Sequence, residues 1–138
     1  MKIMACIDLS PSARDIVAKA VELALWKKAE LVLFSVAEDF MDFGEDVITP
    51  DIAAQVRMQA QNALDAAKIE AKTLGVDAST VMELASSPAD AILDYAAKAK
   101  VDLIITGSRA KTGLDRFLIG SVASKVVSHA GCSVLVIR

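Results

Sequence analysis

The sequence predicts an α/β domain built on a parallel sheet. Short apolar runs alternate with stretches whose apolar residues recur at helical spacing, in a β-α pattern repeated four times and closed by a final strand. Such alternation favours a parallel sheet with helices on both faces and right-handed crossovers. A length of 138 residues suits one domain. Aliphatic side chains form the expected core, because 54% of the residues are hydrophobic and only 4% are aromatic.

Five apolar runs are predicted as strands, and four periodic stretches as helices. The predicted strands cover residues 2–7, 30–37, 76–84, 103–106 and Ser133–Ile137. Helical periodicity covers residues 16–25, 52–67, 88–99 and 121–130, with Gly75 ending the second helix. The third strand is more polar than the others, which indicates a position near a sheet edge.

Every proline follows a hydroxyl residue, in the pairs Ser10-Pro11, Thr49-Pro50 and Ser87-Pro88. In each pair the hydroxyl can cap a helix and the proline can occupy the first helical position. Three helices are therefore expected to begin with satisfied N–H groups. The fourth begins at Gly120-Ser121 without such a pair, which leaves more backbone donors for a ligand.

Residues 101–127 form the candidate functional segment. A strand closed by Gly107 leads into a basic stretch with Arg109, Lys111 and Arg116 against the single acid Asp115. The segment then enters the fourth predicted helix, whose free N–H groups favour an anion. Strand, basic glycine loop and helix start together predict a phosphate site.

Asp8 ends the first predicted strand and would flank the same crevice if strands one and four are neighbours. There it could bond a ribose or an adenine edge, or contact magnesium through water. A local turn or cap is an equal alternative for this acid. Gly107 could also be an ordinary turn, and Gly120 a close contact between helix and strand.

Composition and missing motifs exclude several classes of protein. A net charge of −3 and a pI near 5.1 argue against a protein that coats nucleic acid. No apolar run approaches the roughly 20 residues that cross a bilayer, and the N-terminus reads as a first strand, so a cytoplasmic location is expected. Cys6 and Cys132 are interpreted as small buried hydrophobes. The single histidine, His129, is expected near a helix end, and neither a P-loop nor a G-x-G-x-x-G fingerprint is present.

Five segments together resemble the universal stress protein family over essentially the whole chain, as one domain of residues 1–138. They are IDLS (7–10), LVLFSV (31–36), VDLIITGSR (101–109), GSVASKVV (120–127) and CSVLVI (132–137). The resemblance implies a Rossmann-type three-layer sandwich like that of adenine-nucleotide hydrolases. Its five-stranded parallel sheet would have the order 3-2-1-4-5, which places strands one and four side by side.

The nucleotide-binding branch of this family carries G-x2-G-x9-G-[ST]. Gly107, Gly120 and Ser121 match this motif, and Ala110 stands at the second glycine, where it adds a methyl group near the expected phosphates. The resemblance implies that Ile7 and Asp8 lie near adenine and ribose, and that Val36 meets the adenine. The residues implied around ribose and phosphates are Thr106, Gly107, Arg109, Ala110, Gly120, Ser121 and Val122.

By the same resemblance, the chain would be a stress-response or signalling module that binds ATP, ADP or AMP, with or without Mg²⁺, and hydrolyses it little or not at all. A homodimer through the last strand, Ser133–Ile137, is implied, and an edge strand of this kind suits pairing. One alternative is a nucleotide-free interaction protein of the same fold, with the acidic segment 38–49 as a partner surface. The other is an ATPase or phosphotransferase, for which Asp8 is the one obvious acid.

Overall fold

The computed structural model describes residues 1–39, 49–108 and 119–138. Strands and helices alternate along the described chain in the predicted order. The strands are β1 (Lys2–Cys6), β2 (Glu30–Glu38), β3 (Ser79–Ala85), β4 (Leu103–Gly107) and β5 (Ser133–Ile137). The helices are α1 (Ala13–Lys27), α2 (Pro50–Thr73), α3 (Pro88–Lys98) and α4 (Ser121–His129). Among these described helices, none is both long enough and apolar enough to cross a membrane.

The five strands form one parallel sheet in the order β3-β2-β1-β4-β5. This order, implied by the resemblance, is confirmed, as is the edge position of the polar strand β3. At the centre of the sheet, Ile3 of β1 is in register with Leu31 of β2 and with Leu103 of β4. The strand order reverses around β1, so the carboxyl ends of β1 and β4 border the crevice in which such sheets bind ligands.

Helices cover both faces of the sheet, as predicted. On one face, α1 and α2 pack Ile16 and Leu64 against Leu33 of β2. On the other face, α3 and α4 pack Ile92 and Val126 among the side chains of β1, β2 and β4. Successive strand residues alternate between the two layers. Each fully buried aliphatic side chain contributes about 1.5–3 kcal/mol.

Two of the three predicted helix caps are present. Thr49 Oγ1 accepts a hydrogen bond from Ile52 N, and Ser87 Oγ accepts one from Asp90 N, each at 3.3 Å, with a proline at the first helical position. These bonds satisfy helix donors that would otherwise be free.

The predicted cap at Ser10 is wrong. Helix α1 begins at Ala13, after Ser12, and has no side-chain cap bond. Ser10 N–H donates to Asp8 Oδ1 at 2.9 Å, and the Ser10 and Ser12 hydroxyls bond each other at 2.7 Å. Such local bonds compete with helix capping, which explains the later start.

Helix ends follow ordinary stereochemistry. Gly75 ends α2 with φ 108°, a conformation that L side chains rarely adopt, so the predicted stop at this glycine is confirmed.

His129 lies in the last turn of α4 as expected, with Nδ1 3.0 Å from the Lys125 carbonyl oxygen. Lys125 Nζ also bonds Asp90 Oδ1 at 2.8 Å, which links α4 to α3 and lowers the pKa of Asp90.

Candidate functional site

A crevice opens at the carboxyl ends of β1, β2 and β4, on the face covered by α3 and α4. The structure brings seven of the ten predicted site residues to its lining. They are Ile7, Asp8, Val36, Thr106, Gly107, Gly120 and Val122. Because β1 and β4 are neighbours, the loops that follow them border one site, as the sequence argument required.

Among the other three predicted site residues, one is described and lies outside the lining. Ser121 is exposed as the first residue of α4 and does not line the crevice. Arg109 and Ala110 lie outside the described residues. The same holds for the other charged residues of the loop, namely Lys111, Asp115 and Arg116.

Helix α4 begins at the crevice with backbone donors that have no acceptor inside the helix. Gly120, its N-cap residue, has no side chain to accept a hydrogen bond, and the first bond of the helix runs from Ser124 N to Gly120 O at 2.9 Å. The N–H groups of residues 121–123 therefore have no acceptor within the helix. Free donors and the positive end of the helix dipole together favour an anion. The predicted contrast holds against α2 and α3, but α1 also begins without a side-chain cap.

The two matched glycines serve different purposes. A Cβ at Gly107 would lie 3.2 Å from Ile16 Cδ1 and 3.3 Å from Ser12 Oγ, so this position is tight because β4 passes close to α1. Gly120 has φ −58° and ψ 161°, which any residue adopts. A close helix–strand contact of the kind considered for Gly120 is present at Gly107.

Asp8 is half-buried at the end of β1, and its Oδ1 accepts the Ser10 N–H. Cys6 lies beside it in the crevice lining. Burial, helped by the negative charge of Asp8, raises the pKa of the Cys6 thiol to about 12. The thiol therefore stays protonated near neutral pH and is a poor nucleophile. The interpretation of Cys6 as a buried hydrophobe is confirmed, whereas Cys132 is only half-buried.

Six further residues line the crevice that sequence reasoning did not select. They are Cys6, Phe34, Glu38, Pro88, Ile92 and Ala123. A signal for two of them was present, because residues two positions before and after Val36 share its face of β2. Glu38 thus adds a second carboxylate to the rim of the site.

The crevice is shallow in this conformation. The crevice measures about 60 Å³, or about 550 Å³ when the open space at its mouth is included. Within the described ranges, no cluster of three or more His, Cys, Asp or Glu side chains could hold a metal ion.

Comparison with known proteins gives the family. The sequence profile of the universal stress protein family matches residues 1–138. The chain belongs to the universal stress protein family.

Two relatives illustrate the range of similarity within the family. Universal stress protein YxiE of Bacillus subtilis is 30% identical over 146 residues, which cover 99% of this chain and 98% of the relative. Universal stress protein MJ0531 of Methanocaldococcus jannaschii is 42% identical over 87 residues, or 63% of this chain. This second match spans 51% of the relative, so the similarity covers about half of that protein's length.

Solved structures share the fold along the whole chain. Protein MJ0577 aligns with a TM-score of 0.83 at 26% identity, over 99% of this chain and 94% of that one. The universal stress protein from Archaeoglobus fulgidus in complex with dAMP aligns with a TM-score of 0.74 at 22% identity, over 100% and 98%. A universal stress protein in complex with cAMP aligns with a TM-score of 0.76 at 23% identity, over 100% and 97%.

Proposed function

We propose that this universal stress protein binds an adenine nucleotide in the crevice between β1 and β4. The observation that carries the proposal is the start of α4, where a glycine N-cap leaves the N–H groups of residues 121–123 without helix acceptors at the crevice. These donors would receive the phosphates. Two proteins of the same fold bind dAMP and cAMP, which agrees with a nucleotide of this class.

The remaining site residues suit the nucleoside. Beside the phosphate end, Thr106 and Gly107 would border the ribose. Ile7 and Val36 supply an apolar surface for the adenine, and Asp8 supplies a carboxylate for ribose or adenine. The open mouth fits an elongated ligand, because Gly120 has no side chain to cover the start of α4. Ser121 completes the proposed site through its match to the family motif, and Arg109 and Ala110 join it by their positions within that motif, where Ala110 replaces the second glycine.

The proposed output is signalling by the bound state, with ATP, ADP or AMP, with or without Mg²⁺, and with little or no hydrolysis. Hydrolysis requires a group that activates water. Asp8 follows β1, the strand beside β4, and it already accepts a hydrogen bond from Ser10 in the β1–α1 loop. Binding that changes the shape or partners of the protein is therefore the better-supported use of the site.

We also propose that the chain acts as a cytoplasmic homodimer that contacts a protein partner. Strand β5 pairs with β4 on one side and forms the edge of the sheet on the other. An edge strand exposes unpaired backbone groups, and pairing with a second copy would satisfy them. The interface proposed for this dimer is Ser133–Ile137.

The experiment that tests nucleotide binding begins with freshly purified protein, which is denatured so that the supernatant can be assayed for adenine nucleotide. ATP is then titrated into the emptied protein in a calorimeter. Roughly stoichiometric nucleotide or a micromolar dissociation constant, equivalent to about −8 kcal/mol, is the expected result.

A nucleotide-free interaction protein of the same fold is the second candidate. Ala110 favours it, because a methyl group at the second glycine position of the motif reduces the room for phosphate. A folded dimer that carries no nucleotide and gives no heat with ATP would establish this alternative and reject the proposed function.

A further inference from the structure

The edge of the sheet opposite the nucleotide crevice is basic. Because the strands are parallel, the helices end at the edge where the strands begin. The turns at this edge form the basic edge, which comprises residues 1–2, 27–30, 72–79, 98–102 and 129–133. It holds six lysines against three acids and so carries +3, whereas the rest of the chain carries −6 to give the total of −3. The lysines are Lys2, Lys27, Lys28, Lys72, Lys98 and Lys100.

Two lysines of the basic edge have a backbone conformation that is typical of glycine. Lys28 follows α1 with φ 52°, and Lys100 lies just beyond α3 with φ 56°. Among the described residues, these are the two non-glycine residues with positive φ. A Cβ is unfavourable in this conformation, so glycine is the usual residue there after a helix. Because strain of this kind is often retained where it serves a function, it directs attention to these two side chains.

The two strained lysines lie on either side of the start of β1. The residues two positions after them, Glu30 and Asp102, donate backbone N–H bonds to Met1 O at 3.0 Å and to Lys2 O at 2.9 Å. One lysine is therefore on the β2 side of β1 and the other on the β4 side. Neighbouring strands are about 4.8 Å apart, so the two turns are separated by roughly 10 Å, a distance that three residues of an extended peptide span.

An exposed tryptophan lies next to these lysines in the chain. Trp26 is 72% exposed in the last turn of α1, and Lys27 Nζ lies 4.3 Å from the centre of its ring. Leu25 and Leu74, at the ends of α1 and α2, are also exposed. Within the part of the chain that the structure describes, none of the five exposed lysines of the basic edge forms an ion pair. Unpaired cations beside an exposed tryptophan suit a partner with carboxylates and apolar side chains.

The acids of the basic edge favour one kind of anionic partner. Glu30, Asp77 and Asp102 are exposed and interspersed with the lysines. A nucleic acid carries a charge at every phosphate, and an anionic bilayer presents a continuous negative surface, so both would meet these acids. A peptide can place separate carboxylates opposite the lysines and an apolar side chain on Trp26. An acidic peptide therefore fits this mixed surface best.

We propose that the basic edge binds an acidic peptide segment of a partner protein. Two carboxylates of the segment, three residues apart, face Lys28 and Lys100, and an apolar side chain packs on Trp26. The proposal rests on the contact with a protein partner proposed above, and it gives that contact a place and a chemistry. It does not depend on nucleotide binding, because the crevice lies at the opposite edge of the sheet.

The test uses two synthetic peptides, titrated into the full chain without nucleotide at low ionic strength. The peptide ELSELSELSELS has a glutamate at every third position, and QLSQLSQLSQLS is its uncharged control. Calorimetry measures the affinity, and amide shifts in ¹H–¹⁵N NMR spectra locate the contact. Saturable binding of the glutamate peptide that shifts the amides of Lys28 and Lys100, is about tenfold tighter than that of the control and weakens with added salt is the expected result. Absence of binding, or equal binding of the two peptides, would overturn the proposal.

Glycine substitutions separate binding from folding. Lys28→Gly and Lys100→Gly each remove a charge and relieve the strained backbone, so each is expected to weaken binding of the glutamate peptide about threefold while the free energy of unfolding stays the same or rises. Arg57→Gln removes a charge from the exposed first half of α2 and is expected to leave binding unchanged. Equal losses in Arg57→Gln and Lys28→Gly would show general charge attraction and reject the site. Lower stability with unchanged binding in the glycine variants would make the lysines structural and would also reject it.

Other occupants of the basic edge are tested with the same preparation. Tighter binding to phosphatidylglycerol vesicles or to single-stranded oligothymidylate would assign the edge to a bilayer or to nucleic acid. Self-association in sedimentation that the glutamate peptide inhibits would assign it to a second copy of the chain. Each of these results would overturn the proposal. Titration of ATP reports on the crevice separately, so a failure of nucleotide binding is distinguishable from a failure of peptide binding.

Discussion

Gly107 passes so close to Ile16 that a Cβ at this glycine would lie 3.2 Å from the Cδ1 atom of the isoleucine. Ile16 is fully buried in the first turn of α1, whereas Gly107 ends β4. The contact therefore packs the end of β4 directly against α1. It makes Gly107 a packing residue as well as a lining residue of the proposed site.

Gly107→Ala is expected to destabilise the protein by about 1–3 kcal/mol, because an added methyl group must displace buried Ile16. Urea denaturation measures this change. Gly131→Ala is the matched control, since a Cβ there meets no atom within 4 Å and its φ is not positive. A free energy of unfolding equal to that of the control would mean that Ile16 can move aside at no cost.

Gly120→Val is expected to reduce ATP affinity about tenfold or more while the free energy of unfolding changes by less than about 1 kcal/mol. The backbone at Gly120 has φ −58° and ψ 161°, which a β-branched residue accepts, but its side chain would crowd the start of α4. Calorimetric titration and denaturation of the same preparation separate the two effects. Unchanged ATP affinity in the folded variant would contradict the placement of the phosphates.

Ala110→Gly restores the second glycine of the nucleotide-binding motif. If the methyl group limits the approach of phosphate, removing it should tighten ATP binding, by about threefold to tenfold. The dissociation constants of the two proteins, measured side by side, give the answer. A weaker complex in the variant would show that alanine is the better residue at this position.

Ser87→Ala is expected to cost about 1 kcal/mol, because it removes the hydroxyl that accepts Asp90 N–H at the start of α3. Ser10→Ala is the informative comparison, since the Ser10 hydroxyl bonds Ser12 and not a helix donor. Its cost should be less than half as large. Equilibrium unfolding of both variants tests the order, and a larger loss in Ser10→Ala would argue against the observed start of α1.

Cys6 should make the protein sensitive to alkaline pH. Burial raises its pKa from 9.0 to about 12, so the stabilising contribution is complete below pH 9 and is lost as the pH rises toward 12. Over this window the free energy of unfolding should fall by about 1.4 kcal/mol per pH unit from this group alone. The measurement is the difference in pH dependence between the wild type and Cys6→Ala. Parallel profiles would mean that the thiol ionises as easily in the fold as in the unfolded chain.

The order of elements was predictable because each buried parallel strand reads as an apolar run and each helix carries a periodic stripe. Val32 and Ile104, for example, are buried at the centre of such runs. Helix starts were predictable where a single local bond decides them, as at Thr49 and Ser87. At Ser10, competing bonds to Asp8 and Ser12 changed the outcome, and the sequence does not rank such alternatives.

Contacts between distant segments were not predictable from local patterns. Ile16 and Gly107 are far apart in sequence, so the packing reason for the glycine emerges only when α1 lies against β4. Seven predicted site residues nevertheless line one crevice. Their meeting was predictable because the resemblance supplied the strand order that places β1 beside β4.

Asp8, Val36 and Glu38 line both the crevice and a larger open cleft beside the β1–α1 loop, which has a thermodynamic consequence for any two ligands in the two spaces. If a molecule in the larger cleft shifts any of these side chains, it changes nucleotide affinity by some factor, and nucleotide must change the affinity of that molecule by the same factor. Either titration would then report on the other. With the ends of β1 and β2 contributing to both spaces, the protein could compare two chemical signals without any movement between domains.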